Sequence, residues 1–250
     1  MVPGEECCIS PGVLTHEHRS RNINSEALIQ DNIIMLNIQR FVCNPIRENT
    51  YVVSDETKEC VIVDCGAFYE PEKEAIKEYI ETNGLKPKHL IVTHGHVDHN
   101  LGDKFVFDNW GLRPEIGTSD EPMLKTLPEQ AKSICGVDNL TADDFTFAGK
   151  CLDGSDTITF GSHTFTILET PGHSQGGLTF YCEAEKVAFT GDTLFKGSIG
   201  RTDLDGGSMF MIIQSLRMLS QLPDDVKVYP GHGPETTIGA EVAGNPYLDR

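Results

Sequence analysis

The segment His94-Gly95-His96-Val97-Asp98-His99 places three imidazoles and one carboxylate within six residues. It follows the apolar, strand-like run Leu90–Thr93, so this short polar loop would begin directly where a strand ends. Loops at strand ends often carry functional side chains, because a rigid sheet holds them in place. Borderline-soft divalent metals such as Zn²⁺ bind imidazole nitrogen together with carboxylate oxygen. The segment therefore predicts a metal site.

Three later residues repeat this arrangement, each in a loop marked by glycine or proline after another strand-like run. They are His173, Asp192 and His232. Together with the first segment they offer five imidazoles and two carboxylates. Seven ligands exceed what one zinc ion uses, and they suit two metal ions about 3.5–4 Å apart.

The pattern His-x-His-x-Asp-His, followed by a distant His, Asp and His, resembles the metallo-β-lactamase superfamily. Within it, the chain is similar to short glyoxalase II-like hydrolases, which end soon after the last metal-binding histidine. Segments 190–204 and 231–239 carry this closer resemblance. The resemblance runs from about Met35 to the C terminus. It implies an α/β fold, an αββα sandwich of two mixed β-sheets with outer helices.

The family's ligand arrangement can be carried over by position. It implies a first metal ion on His94, His96 and His173, a second on Asp98, His99 and His232, and a bridge through Asp192. We expect two divalent ions per chain, with Zn²⁺ ahead of Fe or Mn. A bridging hydroxide would attack a substrate carbonyl. Asp98 is given the additional catalytic role of orienting that hydroxide.

The resemblance implies hydrolysis of thioesters of the hydroxyacylglutathione type. Full-length glyoxalase II proteins add a helical domain that binds glutathione, whereas only Pro234–Arg250 follows His232 here. Other acyl thioesters and small esters therefore stay open. Asp192 argues against a β-lactamase, because true β-lactamases of the superfamily lack a bridging aspartate at this position. His96 excludes the iron-binding flavoprotein relatives, which carry glutamate there.

Two other functions compete with hydrolysis. A mononuclear-iron persulfide dioxygenase has the same fold, and its family also carries the Gly-Arg-Thr-Asp sequence found here at residues 200–203. A non-enzymatic metal-binding protein is the third possibility, and the complete ligand set argues against it.

Composition limits the partners and the compartment. The formal net charge is −18, and no basic footprint typical of nucleic-acid binding is visible. No apolar run reaches the roughly 18 residues that a membrane span needs. The eight cysteines contain no C-x-x-C pair, and free thiols indicate a reducing compartment. We therefore expect a cytoplasmic protein that acts on a small-molecule thioester and binds neither nucleic acid nor membrane.

The supporting elements follow from periodicity. Residues 1–34 are predicted to be a flexible N-terminal extension, and residues 35–250 the metallo-β-lactamase-like domain. Further strands are predicted at Leu36–Cys43, Tyr51–Ser54, Cys60–Asp64, Thr157–Phe160, Thr164–Leu168, Leu178–Cys182, Lys186–Phe189 and Val226–Val228. Helices are predicted at Glu70–Asn83, Lys104–Trp110, Glu121–Ile134 and Gly207–Gln221. Asp138–Asp156 is interpreted as an irregular acidic connector.

Several residues outside the ligand set are also assigned. Ser174, Thr193 and Asp203 are candidates for holding the ligand loops, and Arg201 is expected to pair with Asp203. His163 is predicted to lie on the surface of a hairpin.

Overall fold

The structure is a computed structural model that describes residues 35–248. The predicted N-terminal extension, residues 1–34, lies outside the described residues. Residues 35–248 form two six-stranded sheets, one small hairpin and the helices that cover the sheets.

The first sheet comes from the N-terminal half of the described residues. Its strands are β1 (Asn37–Cys43), β2 (Glu48–Ser54), β3 (Glu59–Val63), β4 (Lys86–Val92), β5 (Pro114–Gly117) and β6 (Lys150–Leu152), in that spatial order. The first three strands are antiparallel, and β3 to β6 run parallel. Helix α1 (Glu70–Thr82) joins β3 to β4, and helix α2 (Asp103–Trp110) joins β4 to β5.

The second sheet has the spatial order β14-β13-β10-β9-β8-β7. Its strands are β7 (Thr157–Phe160), β8 (His163–Glu169), β9 (Leu178–Cys182), β10 (Val187–Gly191), β13 (Lys227–Pro230) and β14 (Thr236–Thr237). The small hairpin, β11 (Leu194–Phe195) and β12 (Ser198–Ile199), follows β10. The remaining helices are α3 (Leu127–Gln130), α4 (Met209–Leu219) and α5 (Ile238–Gly244). The predicted αββα sandwich of two mixed sheets is confirmed.

The alternating direction of side chains along each strand divides the apolar residues between separate cores. Successive side chains of a strand point to opposite faces of the sheet. Val53 and Val61 therefore contribute to the core between the two sheets, where they share a cluster with Phe165 and Phe189. Ile62, one residue after Val61, belongs instead to the core under α1 and α2. A third core lies between the second sheet and α4.

Helix α1 begins at Glu70 as predicted, and α4 begins at Met209, two residues after the predicted start. Proline stands in the first turn of α1, where its missing N–H costs no helical hydrogen bond. The hydroxyl of Ser208 caps α4 by accepting a hydrogen bond from Met211 N at 3.3 Å. The apolar stripes bury Ile76 and Ile80 of α1 against the first sheet.

Several predicted elements are wrong in detail. Strand β2 begins at Glu48, and β6 lies inside the segment 138–156 that was expected to be irregular. Short strands such as β6 are held by backbone pairing with a neighbour, so their sequences need no apolar run. Residues 121–135 are not one helix but a 3₁₀ turn, α3 and a π-helical turn. Pro122 and Pro128 each lie in the first turn of a new segment, since proline cannot continue a helical hydrogen-bond ladder.

His163 is not a surface residue. Its side chain is buried, with Nδ1 3.1 Å from Asp55 Oδ2 and Nε2 3.3 Å from Glu185 Oε1. The hairpin prediction itself is confirmed, because Phe160 and His163 are paired residues of β7 and β8. The turn therefore lies against the β2–β3 loop, which supplies Asp55.

Candidate metal centre

The seven predicted ligands come together at one edge of the sandwich. His94 and His96 lie in the loop after β4, and Asp98 and His99 lie in the 3₁₀ turn Val97–His99. The other three follow strands of the second sheet: His173 follows β8, Asp192 follows β10, and His232 follows β13. Both sheets thus contribute ligands, and most of these side chains are buried.

Three histidines form the first group. The candidate ligand atoms of His94, His96 and His173 all lie within 4.8 Å of one another. Nδ1 of His96 is 2.9 Å from Nε2 of His173. The other ring nitrogen of His173, Nδ1, lies 2.8 Å from the carbonyl oxygen of Arg201, which can only accept. Nδ1 of His173 therefore carries the proton, and its Nε2 presents a lone pair to the group.

Asp98, His99 and His232 form the second group. Oδ2 of Asp98 lies 3.1 Å from Nε2 of His232 and 3.3 Å from Nε2 of His99. The opposite ring nitrogens are oriented from outside the group. Nδ1 of His99 lies 2.9 Å from Asp64 Oδ2, and Nδ1 of His232 lies 3.2 Å from the carbonyl oxygen of Arg47. In both rings Nε2 is left facing the centre, as a metal ligand requires.

Asp192 lies between the two groups. Its Oδ1 is 3.4 Å from Nε2 of His99, and its Oδ2 is 3.5 Å from Nε2 of His173. Glycine is required beside it, because a Cβ at Gly231 would come within 2.3 Å of Asp192 Oδ1. One carboxylate thus faces both groups.

Unsatisfied atoms test whether metal ions fit these residues. Nε2 of His94, Nε2 of His99 and Oδ1 of Asp192 are buried, and none finds a hydrogen-bond partner among residues 35–248. Buried polar atoms are normally paired, so three such atoms in one cluster need an explanation. Divalent cations would satisfy all three, and mixed imidazole and carboxylate donors suit zinc or iron. The residues fit a metal centre.

The electrostatics of the first group favours neutral imidazoles. Burial, reinforced by the neighbouring histidines, lowers the pKa of His94 well below its ordinary value. Burial is also the main reason why the pKa of His96 falls to about 4. Neutral imidazole is the form that binds metal.

The second group is dominated by carboxylates. Burial opposes the charged form of His99, yet the carboxylates of Asp98, Asp64 and Asp192 together raise its pKa well above the ordinary value. Burial likewise raises the pKa of Asp98, but His99 and His232 outweigh burial and lower it. Buried carboxylates need nearby positive charge, and a bound cation can supply it in place of protons.

Two aspartates that support the site were not predicted. Asp64 accepts hydrogen bonds from Thr93 N at 2.7 Å and Thr93 Oγ1 at 2.8 Å, besides its contact with His99. Asp120 accepts from Gly95 N at 2.9 Å and from Gly176 N at 2.6 Å, and so links two ligand loops. The position of Asp64 at the end of a strand was a usable signal. No local signal marks Asp120.

The residues expected to hold the ligand loops do not all form hydrogen bonds within residues 35–248. Oγ1 of Thr193 lies 3.3 Å from the carbonyl oxygen of Thr170, and Arg201 forms a two-point ion pair with Asp203 at 2.7 and 2.8 Å. Ser174 is buried, but its hydroxyl makes no hydrogen bond within residues 35–248.

Cys65, beside Asp64, is a buried thiol. Burial raises its pKa well above the ordinary value, and the six cysteines of the described part are free. None of the helices within residues 35–248 is long and apolar enough to cross a membrane.

Two clefts reach the candidate centre. The first, of about 590 Å³, touches His96, and the second, of about 450 Å³, touches His232.

Comparison with known proteins agrees with this geometry. The family model of the metallo-β-lactamase superfamily matches residues 43–232. Hydroxyacylglutathione hydrolase GloC of Haemophilus influenzae is 35% identical, over 86% of this chain and 99% of that protein.

Two solved structures are similar over most of the chain. BLEG-1, described as a B3 metallo-β-lactamase, is 34% identical with a TM-score of 0.74, covering 85% of this chain and 99% of its own. TTHA1623, crystallised in a di-iron-bound form, is 32% identical with a TM-score of 0.73, covering 84% and 100%.

Proposed function

The chain belongs to the metallo-β-lactamase superfamily, and on that premise we propose that it is a dinuclear metal-dependent hydrolase of the glyoxalase II type. The proposed substrate is a thioester of the hydroxyacylglutathione class. The observation that carries this proposal is the position of Asp192, whose two oxygens face the two groups of candidate ligands. The similarity to GloC supports the choice of thioester.

Each group would hold one cation, the first on His94, His96 and His173, the second on Asp98, His99 and His232, with Asp192 contacting both. When bound, the cations supply Lewis acidity toward a carbonyl oxygen and lower the pKa of a water molecule. Zn²⁺ is the proposed metal. Iron is the alternative, because the similar protein TTHA1623 was crystallised in a di-iron-bound form.

Asp98 is the proposed catalytic residue. Although burial opposes ionisation, His99 and His232 lower the pKa of its carboxyl, so it stays ionised at neutral pH. An ionised carboxylate only accepts hydrogen bonds, so Asp98 would accept one from the attacking water and orient it.

A thioester is a suitable substrate for a site of this kind because its leaving group needs no protonation. Its leaving thiol has an ordinary pKa near 8.5 and can depart as thiolate without a general acid.

The persulfide dioxygenase is the competing enzyme. It needs only one iron, whereas here the second group of ligands is complete and its candidate atoms lie within 4.8 Å of one another. A β-lactam is the competing hydrolytic substrate, because BLEG-1 is described as a β-lactamase.

The deciding experiment measures four quantities on one preparation: metal content, hydrolysis of S-lactoylglutathione, oxygen uptake with glutathione persulfide, and opening of a β-lactam ring. We expect close to two metal ions per chain and thioester hydrolysis that a chelator abolishes and Zn²⁺ restores. Oxygen uptake at one iron per chain, without thioester hydrolysis, would overturn the proposal. Faster turnover of the β-lactam than of any thioester would replace the proposed substrate class.

A further inference from the structure

The two clefts beside the candidate centre differ in charge. The cleft at His96 is lined by apolar side chains such as Met123 and Ile134, and its charged side chains are those of Asp120 and Asp205. The cleft at His232 is lined by two arginines, Arg40 and Arg47. Among the described residues that line these two clefts, those of the cleft at His232 alone include cationic side chains, in a chain of net charge −18.

Neither of these guanidinium groups is neutralised by a carboxylate of residues 35–248. Arg40 donates from Nη1 to the carbonyl oxygen of Gly233 at 3.1 Å, and that oxygen is uncharged. Within residues 35–248, neither Arg40 nor Arg47 forms an ion pair, in contrast to Arg201 with its partner Asp203. Both arginines are exposed, so their charges are available to a ligand in the cleft.

The loop that carries Arg47 is fixed to two residues of the second metal-ligand group. Nδ2 of Asn44 donates to the carbonyl oxygen of Asp98 at 2.9 Å, and the carbonyl oxygen of Arg47 lies 3.2 Å from Nδ1 of His232. Asn44 and Arg47 both have positive φ angles, 55° and 65°. A left-handed conformation is costly for arginine, so tertiary contacts must hold the loop in this shape. The position of Arg47 is thus tied to the centre.

We propose that Arg40 and Arg47 bind an anionic group on the thiol half of the substrate. This inference rests on the proposed thioesterase function and adds the side of the centre on which the thiol half lies. Guanidinium groups form paired, charge-assisted hydrogen bonds with carboxylates and phosphates. The acyl half then enters the cleft at His96, whose carboxylates disfavour an anion. The scissile carbonyl lies between the two clefts, next to the ligand groups.

The anion can have two sources, the carboxylates of a glutathione-type peptide or the phosphates of coenzyme A. Three thioesters with one common acyl group separate them: the glutathione, coenzyme A and neutral N-acetylcysteamine thioesters. The test compares the zinc-loaded wild type with Arg40→Gln, with Arg47→Gln and with the double variant. Arg217→Gln, an equal charge change at an exposed position of α4, serves as the control for each single change.

We expect the ratio of kcat/KM for the anionic thioester to kcat/KM for the neutral one to fall roughly tenfold or more in the double variant, through KM. Arg217→Gln should leave the ratio unchanged. Added salt should lower the wild-type ratio, because exposed charges are screened. A ratio that falls only for the glutathione or only for the coenzyme A thioester identifies the anion. An unchanged ratio for both overturns the inference.

Calorimetric binding of S-methylglutathione and of free coenzyme A to the same proteins separates this inference from the proposed function. If the wild type hydrolyses no thioester but binds either ligand at least tenfold more tightly than the double variant, the arginine site stands and the thioesterase proposal fails. If the wild type hydrolyses thioesters and both proteins bind both ligands equally, the function stands and the arginine site fails.

Discussion

Asp64 and His99 form a buried pair in which Oδ2 of Asp64 lies 2.9 Å from Nδ1 of His99. The contact leaves Nε2 of His99 facing Asp98 and Asp192. Asp64 is itself fixed by two hydrogen bonds from Thr93, the residue that precedes His94. One carboxylate therefore orients a candidate ligand of the second group and anchors the start of the loop that carries the first.

Asp64→Asn tests this positioning role. Asparagine is nearly isosteric and tolerates the positive φ of this position, 53°, so the backbone should be kept. Its amide replaces one of the two acceptor oxygens with an N–H₂ donor, so either Thr93 N or Nδ1 of His99 loses its acceptor, and the linked positions of the loop and of His99 should be disturbed. We expect metal affinity or thioester turnover to fall about 10–100-fold.

Metal titration and steady-state kinetics measure the effect of Asp64→Asn, with Asp108→Asn as the matched control. Asp108 lies in an exposed ion pair with Lys104. Recovery of full turnover at high zinc concentration would show that Asp64 acts through metal affinity. Wild-type affinity and wild-type turnover together would contradict the positioning role.

His232→Ala separates a dinuclear from a mononuclear centre. Nε2 of His232 lies 3.1 Å from Asp98 of the second group and 3.6 Å from the shared Asp192, so its removal takes a ligand from the second group and leaves the three histidines of the first group in place. In a dinuclear hydrolase, metal content should drop from near two toward one per chain, and thioester turnover should fall by several orders of magnitude. Elemental analysis and the thioester assay measure both. Unchanged metal content together with persisting oxygen uptake would favour the dioxygenase.

Acid should release the metal. Ligand imidazoles must be neutral to bind a cation, and protons compete for them as the pH falls. Despite burial, carboxylates raise the pKa values of His99 and His232, whereas burial lowers those of His94 and His96, the latter to about 4, so the second ion should be released at a higher pH than the first. Activity should be lost together with the second ion. Dialysis at a series of pH values, followed by elemental analysis, measures this loss. Metal content that stays constant down to pH 4 would argue against a multi-histidine site.

The ligand positions were predictable because their signals are local. Each of the seven residues follows a strand-like run in a loop marked by glycine or proline, and the first four fall within a single six-residue segment. The order of strands within the sheets, by contrast, was not predicted, since the family resemblance implied only a sandwich of two mixed sheets. Periodicity alone located most strands but not their neighbours.

What the sequence missed depends on contacts between distant segments. Asp120 joins Gly95 to Gly176 across 81 positions of the chain, and no local pattern announces such a link. His163 was assigned to the surface because a hairpin pattern is local and does not reveal distant partners. Asp55, which contacts His163 in the fold, lies 108 positions earlier in the chain. The arginine cleft is likewise visible only once the β1–β2 loop and His232 lie side by side.

His89 provides a pH-dependent contribution to stability outside the metal centre. Its Nδ1 lies 2.6 Å from Glu115 Oε1, joining β4 to β5, and its Nε2 lies 3.2 Å from the carbonyl oxygen of Thr159 in β7. The hydrogen bond to Glu115 is the main cause of a raised pKa for His89, with burial acting in the opposite direction. A raised pKa means that the folded state holds this proton more tightly than the unfolded state.

The stabilisation by this pair is therefore complete below the histidine pKa of the unfolded state and is lost as the pH rises through the folded pKa. We expect Glu115→Gln to lower the free energy of unfolding by about 0.5–1 kcal/mol at pH 5.5, a modest value because the pair is partly exposed. At pH 9, where the imidazole is neutral in both states, the difference between variant and wild type should be smaller.

Urea unfolding at both pH values measures the difference in free energy of unfolding. Comparing the two proteins at each pH cancels the acid-induced loss of metal that they share. Glu121→Gln is the control, since it makes the same change in an ion pair, with Lys125, that contains no histidine. A difference for Glu115→Gln that is as large at pH 9 as at pH 5.5 would show that the pair stabilises the fold by packing rather than by charge.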